Sequence, residues 1–404
     1  MRARYILLLI ALTLGVPIAI AQPLNPDVAA LVKGNNEFAF DLYRQLSKTK
    51  GNIVFSPYSI STALAMTYAG ARGTTADEMA RTLHFTLSQD RLNRAYAKLI
   101  PELLGDRDKP RPFQLHTANA IWGQRGFPFR SEYCDRLDGY YHSPFHKVDF
   151  AADTEKARQV INNWVEVNTN KKIKDMVKPE NLSPRTKFVL ANAIYFNAKW
   201  AYPFEKSLTR KGDFHLTAKQ KVSVPMMHLD SSFKYMETDE LRMVELPYKD
   251  STISFLILLP KRIDGLADLE KTLTASNIQS LTAKLKGINV ALSMPRFAQR
   301  TRRYLSNDLR EMGMAQAFSA NADFSEMASE RLKIDEVIHE AVIEVDEKGT
   351  EAAAATVVIG GEPVSSRMPS RPQFFRADRP FLFAIQDHGT GSILFLGRVM
   401  EPRE

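Results

Sequence analysis

The chain has 404 residues, 44% of them hydrophobic and 25% charged, with a formal charge of +8 and one cysteine. This balance excludes a disordered, fibrous or disulfide-framed protein. The basic residues are scattered rather than gathered in a patch, which argues against nucleic acid as a partner.

The chain opens with Arg2 and Arg4, an apolar run from Tyr5 to Ile20, and Ala19-Ile20-Ala21. That is the pattern of a cleaved secretory signal over residues 1–21, leaving Gln22 first. Gly15, Pro17 and the cleavage pattern argue against a retained anchor, and no later stretch is long and apolar enough to cross a membrane. Loss of the two arginines leaves 8 − 2 = +6 on residues 22–404.

Val28–Lys48 carries Leu31, Phe38, Leu42 and Leu46 at helical spacing. Ser56-Pro57 reads as a helix start, and Ile60–Ala69 is apolar on nearly all sides, which predicts a helix buried at the centre. Thr75-Ala76-Asp77-Glu78 has the form of a capping box. The lone Cys134 reads as a buried, inert thiol. Ala151–Asn170 is an amphipathic helix candidate, and Lys171, Lys172 and Lys174 read as its solvated end. Lys187–Phe196, Thr252–Leu259 and the alternating Asn289–Met294 read as strands. Phe381–Gln386 and Ser392–Val399 flank His388-Gly389-Thr390-Gly391 and form a hairpin. Helices and strands mix without strict alternation, so the class is α+β.

Motifs of catalysis are missing. There is no G-x-S-x-G, no phosphate-binding glycine loop and no dinucleotide fingerprint. His339-Glu340 begins like a zinc-protease motif, but Ile343 stands where the second histidine belongs. The chain is read as not an enzyme, with no cofactor and no metal. The competing reading, a hydrolase with a dispersed site, predicts turnover of a small ester.

In Glu340–Asp346, Ala341, Ile343 and Val345 alternate with Glu340, Glu344 and Asp346, predicting a strand with its carboxylates toward water. The next segment runs Glu347-Lys348-Gly349-Thr350-Glu351-Ala352-Ala353-Ala354-Ala355-Thr356-Val357-Val358-Ile359. By propensity its alanines favour a surface helix. Read with period two, Thr350, Ala352, Ala354, Thr356 and Val358 share one small, uncharged face, and Glu351 lies on the other. Such a strand enters a sheet without burying a charge. Gly349 would be its pivot. Both readings stand on this segment alone. Gly360 to Pro372 reads as an exposed loop open to cleavage.

Residues 347–356 resemble the hinge of inhibitory serpins. Phe375-Arg376-Ala377-Asp378-Arg379-Pro380-Phe381 with Gly391–Val399 resembles the C-terminal signature of that family. Asn52–Ile60, Asn192-Ala193-Ile194-Tyr195-Phe196, Lys199-Trp200 and Val290–Phe297 resemble further serpin segments in the same order, so the likeness runs from about Val28 to Pro402.

The resemblance implies one domain over residues 22–404, with three β-sheets, about nine helices and an exposed reactive-centre loop at about 347–374. It implies a suicide inhibitor of a protease, most plainly a serine protease with a cysteine protease as the other candidate. After cleavage the segment beyond Gly349 inserts as a strand. About 15 residues at ~3.3 Å each span roughly 50 Å, which carries a tethered protease across the molecule. The hinge would be Glu347, Gly349, Thr350, Glu351, Ala352, Ala353, Ala354, Ala355 and Thr356. A central polar cluster would comprise Ser56, Ser59, Asn192 and His339, and insertion would start beside Trp200 and Glu347. The family expectation is a monomer, capable of polymerising by loop insertion.

The family's scissile position falls on Pro363, with Glu362 and Val364 as neighbours, and Arg367 suits a trypsin-like protease but lies four residues late. Arg379 stands where the family often has His, and Glu326 where Gly is common. The alternative function is a non-inhibitory serpin acting as a binding, carrier or chaperone protein.

Overall fold

In the computed structural model, which describes residues 24–105, 111–350 and 371–403, the local sequence sets the first elements directly. Asn25 caps α1 (Pro26–Leu46), its side-chain oxygen accepting from the Asp27 and Val28 amides at 3.1 and 3.4 Å, and Pro26 opens the helix. After β1 (Ile53–Phe55), the Ser56 hydroxyl accepts from the Ser59 amide at 3.1 Å and starts α2 (Pro57–Tyr68). Every residue of α2 is buried, as the absence of a polar face predicts.

The next helix, α3 (Gly73–Thr82), departs from the expected capping box. It begins two residues before Thr75, and Arg72 at its start makes no side-chain cap. The Thr75 hydroxyl instead accepts from the Asp323 amide at 2.9 Å, and the Glu78 carboxylate accepts from the Gln316 amide at 2.7 Å. Both side chains pin a distant loop, which outcompetes the local cap. There follow α4 (Gln89–Leu104), β2 (Phe113–Gln124), α5 (Ser131–Tyr141), β3 (His146–Val148), α6 (Thr154–Asn168) and β4 (Phe188–Lys199). Asp153 caps α6 through the Lys156 amide at 2.9 Å. Cys134 on α5 is half-buried rather than buried, and burial still pushes its thiol above the usual range.

The remaining elements are β5 (Arg210–His215), β6 (Lys221–Glu237), β7 (Leu241–Pro247), β8 (Ile253–Pro260), α7 (Leu266–Thr272), α8 (Ala275–Thr282), β9 (Lys286–Pro295), β10 (Phe297–Tyr304), α9 (Ser306–Glu311), β11 (Val337–Val345), β12 (Gly349–Thr350), β13 (Gln373–Arg376), β14 (Phe381–Asp387) and β15 (Ile393–Val399). The predicted hairpin is β14–β15, antiparallel with one irregularity at Ile385/Gln386.

Nine strands join in the order β1-β15-β14-β8-β7-β6-β9-β13, with β5 also on β6. The long β6 serves two neighbourhoods: residues 221–235 pair with β5 and β9, and residues 234–237 with β7. Divided at β6, this path makes two sheets. The third sheet has six strands, β10-β11-β12-β4-β2-β3, and mixes parallel and antiparallel pairs. The architecture is α+β, with nine α-helices among the described residues.

The buried α2 packs on β15 of one sheet system and on β2 and β4 of the other, so it is the filling between them. The opposite face of the six-stranded sheet lies under α6. There Ala118 and Ala120 of β2, Ala191 and Ala193 of β4, and Ile338 and Val342 of β11 share one apolar cluster with Ala157, Ile161 and Val165 of α6.

Candidate functional site: a wedged hinge in the six-stranded sheet

Strands β4 and β11 run parallel and are paired directly from Val337↔Leu190 to Val342↔Tyr195. Beyond that point they part, and β12 stands between them. Gly349 and Thr350 pair with Lys199 and Ala198 of β4, and Thr350 pairs with Val345 of β11. The turn Asp346–Gly349 closes through the Asp346 amide donating to the Gly349 carbonyl at 2.9 Å. The Asp346 carboxylate accepts from the Lys348 and Gly349 amides at 2.8 and 3.1 Å.

Gly349 is needed here for space. A Cβ on it would lie 2.0 Å from the Ala198 carbonyl oxygen and 2.8 Å from the Lys199 Cα, both backbone atoms of β4. Thr350 is fully buried, and its hydroxyl meets the Tyr248 hydroxyl at 2.5 Å. Tyr248 stacks on Trp200 with centroids 4.7 Å apart and planes at 9°. The Trp200 indole donates to the Asp346 carbonyl at 2.9 Å, and its amide donates to the Lys348 carbonyl at 2.9 Å. Glu347 is buried: the Thr209 hydroxyl donates to its carboxylate at 2.7 Å, the Arg296 guanidinium lies 3.9 Å away, and its carbonyl accepts from the Phe204 amide at 2.8 Å. Trp200 and Glu347 therefore meet at the wedge. Tyr248, Thr209 and Arg296 complete it and had no local signal, since each comes from a separate segment.

The expected hinge residues Glu351, Ala352, Ala353, Ala354, Ala355 and Thr356 lie outside the described residues, as do the scissile candidates Glu362, Pro363, Val364 and Arg367.

Below the wedge lies a polar cluster on the α2 side of the sheet. The structure brings Ser56, Ser59, Asn192 and His339 together and adds Asn119 of β2. The Ser56 amide donates to His339 Nε2 at 3.1 Å, and His339 Nδ1 is bonded to the Asn192 side-chain oxygen. The Asn192 amide group donates to the Ser59 carbonyl at 2.8 Å, to its hydroxyl at 2.7 Å, and to the Asn119 side-chain oxygen. The Ser59 hydroxyl donates to Asn119 Oδ1 at 3.0 Å. His339 is fully buried with no carboxylate among its hydrogen-bond partners, so burial drives its pKa down to about 3 and it is neutral at ordinary pH. The cluster ties β2, β4 and β11 to the start of α2.

On the other face of β11, Glu340 overturns its expected exposure. It is fully buried, with Arg300 Nε 2.5 Å from one carboxylate oxygen and Arg302 Nε 2.7 Å from the other. The neighbouring strand β10 brings two guanidiniums that make its burial tolerable. Glu344 and Asp346 are half-buried. The lysines after α6 do not simply end a helix in solvent: Lys172 lies 3.6 Å from Glu344, and Lys174 lies 3.3 Å from Glu166. Arg379 and Glu326 each find partners, the former on the Asp378 carboxylate at 2.9 Å, the latter near Arg72 and Arg136 at 3.4 and 3.8 Å.

Ser254, His388 and Glu245 also converge, at 2.7 and 3.1 Å. Both contacts fall on the same ring nitrogen, Nε2, and Ser254 is 1% exposed, so the set is not a nucleophile with its relay. Among the described residues no group of three or more His, Cys, Asp or Glu is placed to hold a metal ion, and no helix is long and apolar enough to cross a membrane.

A family model described as Serpin (serine protease inhibitor) matches residues 33–402. An uncharacterized serpin-like protein of Thermococcus kodakarensis is 40% identical over 377 residues, 93% of this chain and 86% of that one. Serpin48 of the insect Tenebrio molitor, described as highly specific, superposes with a TM-score of 0.81 at 35% identity, covering 92% of this chain and 98% of that one. Human thyroxine-binding globulin complexed with thyroxine superposes with a TM-score of 0.84 at 30% identity, covering 94% and 100%.

Proposed function

The chain belongs to the serpin family, and on that premise we propose that it is a secreted inhibitor that traps a serine protease by inserting its own cleaved loop. The observation that carries this reading is the two-residue strand Gly349–Thr350, already seated between β4 and β11. In this reading a longer strand would enter there and continue antiparallel to both neighbours, as Gly349–Thr350 already runs. Thr350 points inward and is buried. Continuing with period two, the inward side chains are Ala352, Ala354, Thr356 and Val358, none of which brings a charge into the sheet.

Cleavage at Glu362, Pro363, Val364 or Arg367 would free this segment while the protease is still held as an acyl-enzyme. The strand then zips downward from Thr350. The direct β4–β11 pairs give way to pairs with the newcomer, and the Asn192–His339 bond that spans them must exchange partners. The inhibitor supplies no catalytic group. Its target in this reading is a serine protease, with a cysteine protease as the alternative. A binding or carrier role is the second reading, favoured by the likeness to thyroxine-binding globulin.

Incubation with a panel of serine and cysteine proteases separates these. The inhibitory reading expects an SDS-stable complex with one of them, and mass spectrometry of the released C-terminal fragment gives the scissile bond. Cleavage within 351–370 without any stable complex, across the panel, overturns it.

A further inference from the structure

Lys174 is held from two sides. Its ammonium lies 3.3 Å from Glu166 of α6, and its carbonyl accepts from Arg300 Nη2 at 3.2 Å and Arg302 Nη2 at 3.4 Å, both on β10. The same guanidiniums hold the buried Glu340 of β11 through their Nε atoms. Helix α6 packs mainly on β2 and β4, with Ile338 and Val342 of β11 at the edge of the same cluster, whereas β10 lies beyond β11 on the far side of the seam where β12 is wedged, so this contact crosses the seam.

We propose that Arg300 and Arg302 are positioning residues that latch the segment after α6 across this seam and so set how fast the sheet parts. The proposal rests on the insertion reading above. Entry of one strand separates β4 from β11 by a further 4.8 Å or so. Bonds of 3.2 and 3.4 Å do not survive that displacement, so either Lys174 leaves the arginines or the segment leaves α6. The Lys172–Glu344 pair at 3.6 Å crosses the seam in the same place.

The latch is built to release cleanly. Glu340, the one fully buried member of the trio, keeps a guanidinium on each carboxylate oxygen before and after, so opening gives up two bonds to a carbonyl and leaves no buried charge unpaired. A Lys at either position would keep an ammonium beside Glu340 but lacks the fork that reaches both carboxylate and carbonyl.

The test uses the double variant Arg300→Lys/Arg302→Lys and the single variant Arg302→Lys in the full chain. The uncleaved protein is mixed with a saturating synthetic peptide of residues 350–362, and filling of the slot is followed by native-gel shift. Filling about tenfold faster in the double variant, and intermediate in the single one, is the expected result. Equal or slower filling in both variants, with the parent filling normally, overturns the latch alone. If the parent takes up no peptide and nicking its loop brings no heat resistance, the insertion reading itself falls, and the latch with it.

Discussion

Asn119 and Asn192 stand directly opposite one another in the β2–β4 ladder, each the second residue of an Ala-Asn-Ala-Ile run followed by an aromatic residue. The flanking alanines pack beneath α6, while the two amides meet on the α2 side and bond to each other. A repeated Ala-Asn-Ala-Ile tetrapeptide thus builds both faces of the sheet at its centre.

Replacing Asn119 by Ala removes an acceptor shared by Asn192 and the Ser59 hydroxyl. A buried donor left unpaired costs about 1–3 kcal/mol. The native form should melt a few degrees lower and form polymer ladders on native gels after milder heating. An unchanged melting point and no earlier ladder would remove Asn119 from the cluster's energetics.

Acid should loosen the same cluster. His339 titrates ordinarily at 6.5 but is held near 3 by burial, so the native state refuses a proton that an opened state accepts. The stability due to its neutral form is complete above about pH 6.5 and falls as pH drops from there toward 3, by up to a factor of ten in the opening equilibrium per pH unit. Spontaneous polymerisation, timed between pH 7 and 4.5, should accelerate in the parent. His339→Gln should be less stable at pH 7 but flatter across this range. Equal pH slopes in the two proteins would refute the assignment.

A side chain at position 349 has nowhere to go, because the backbone of β4 occupies its place. Gly349→Val should push β12 out from between β4 and β11. Amide exchange at Thr350 should then speed up severalfold, and more inhibitor should be consumed per protease trapped. Retained protection at Thr350 would show that β4 yields instead.

Thr350→Arg puts a charge where the native side chain is fully buried against Tyr248. An unpaired buried charge costs several kcal/mol. The variant should be cut by the target protease at an unchanged site yet yield cleaved inhibitor and free enzyme, read on SDS gels. Stable complex at the parental level would mean that the sheet accommodates a charge at this position without blocking insertion.

The backbone elements were legible because their signals are local: the Ser56-Pro57 start of α2, the all-apolar α2 itself, and the β14–β15 hairpin. The inward alternation of Ala341, Ile343 and Val345 was legible for the same reason. Glu340 was misjudged because what decides its fate is two arginines on the next strand, some forty residues upstream. Tyr248, Thr209 and Arg296 were invisible because they matter only once three separate segments meet Glu347 and Thr350. Asn119 did leave a trace, the second copy of Ala-Asn-Ala-Ile, but its meaning depends on the register that sets the two copies face to face.

The methyl floor beneath α6 bears on motion. Ala118, Ala120, Ala191 and Ala193 offer the middle of the helix no ridges to interlock with, and the large interlocking pair is Trp122 of β2 against Trp164 of α6, edge to face at 5.6 Å. On such a floor, resistance to translation past α6 is concentrated in a few discrete contacts, the Trp122–Trp164 pair and the polar ties. If the insertion reading holds, such a fold would wait in one state and slide once those contacts are broken.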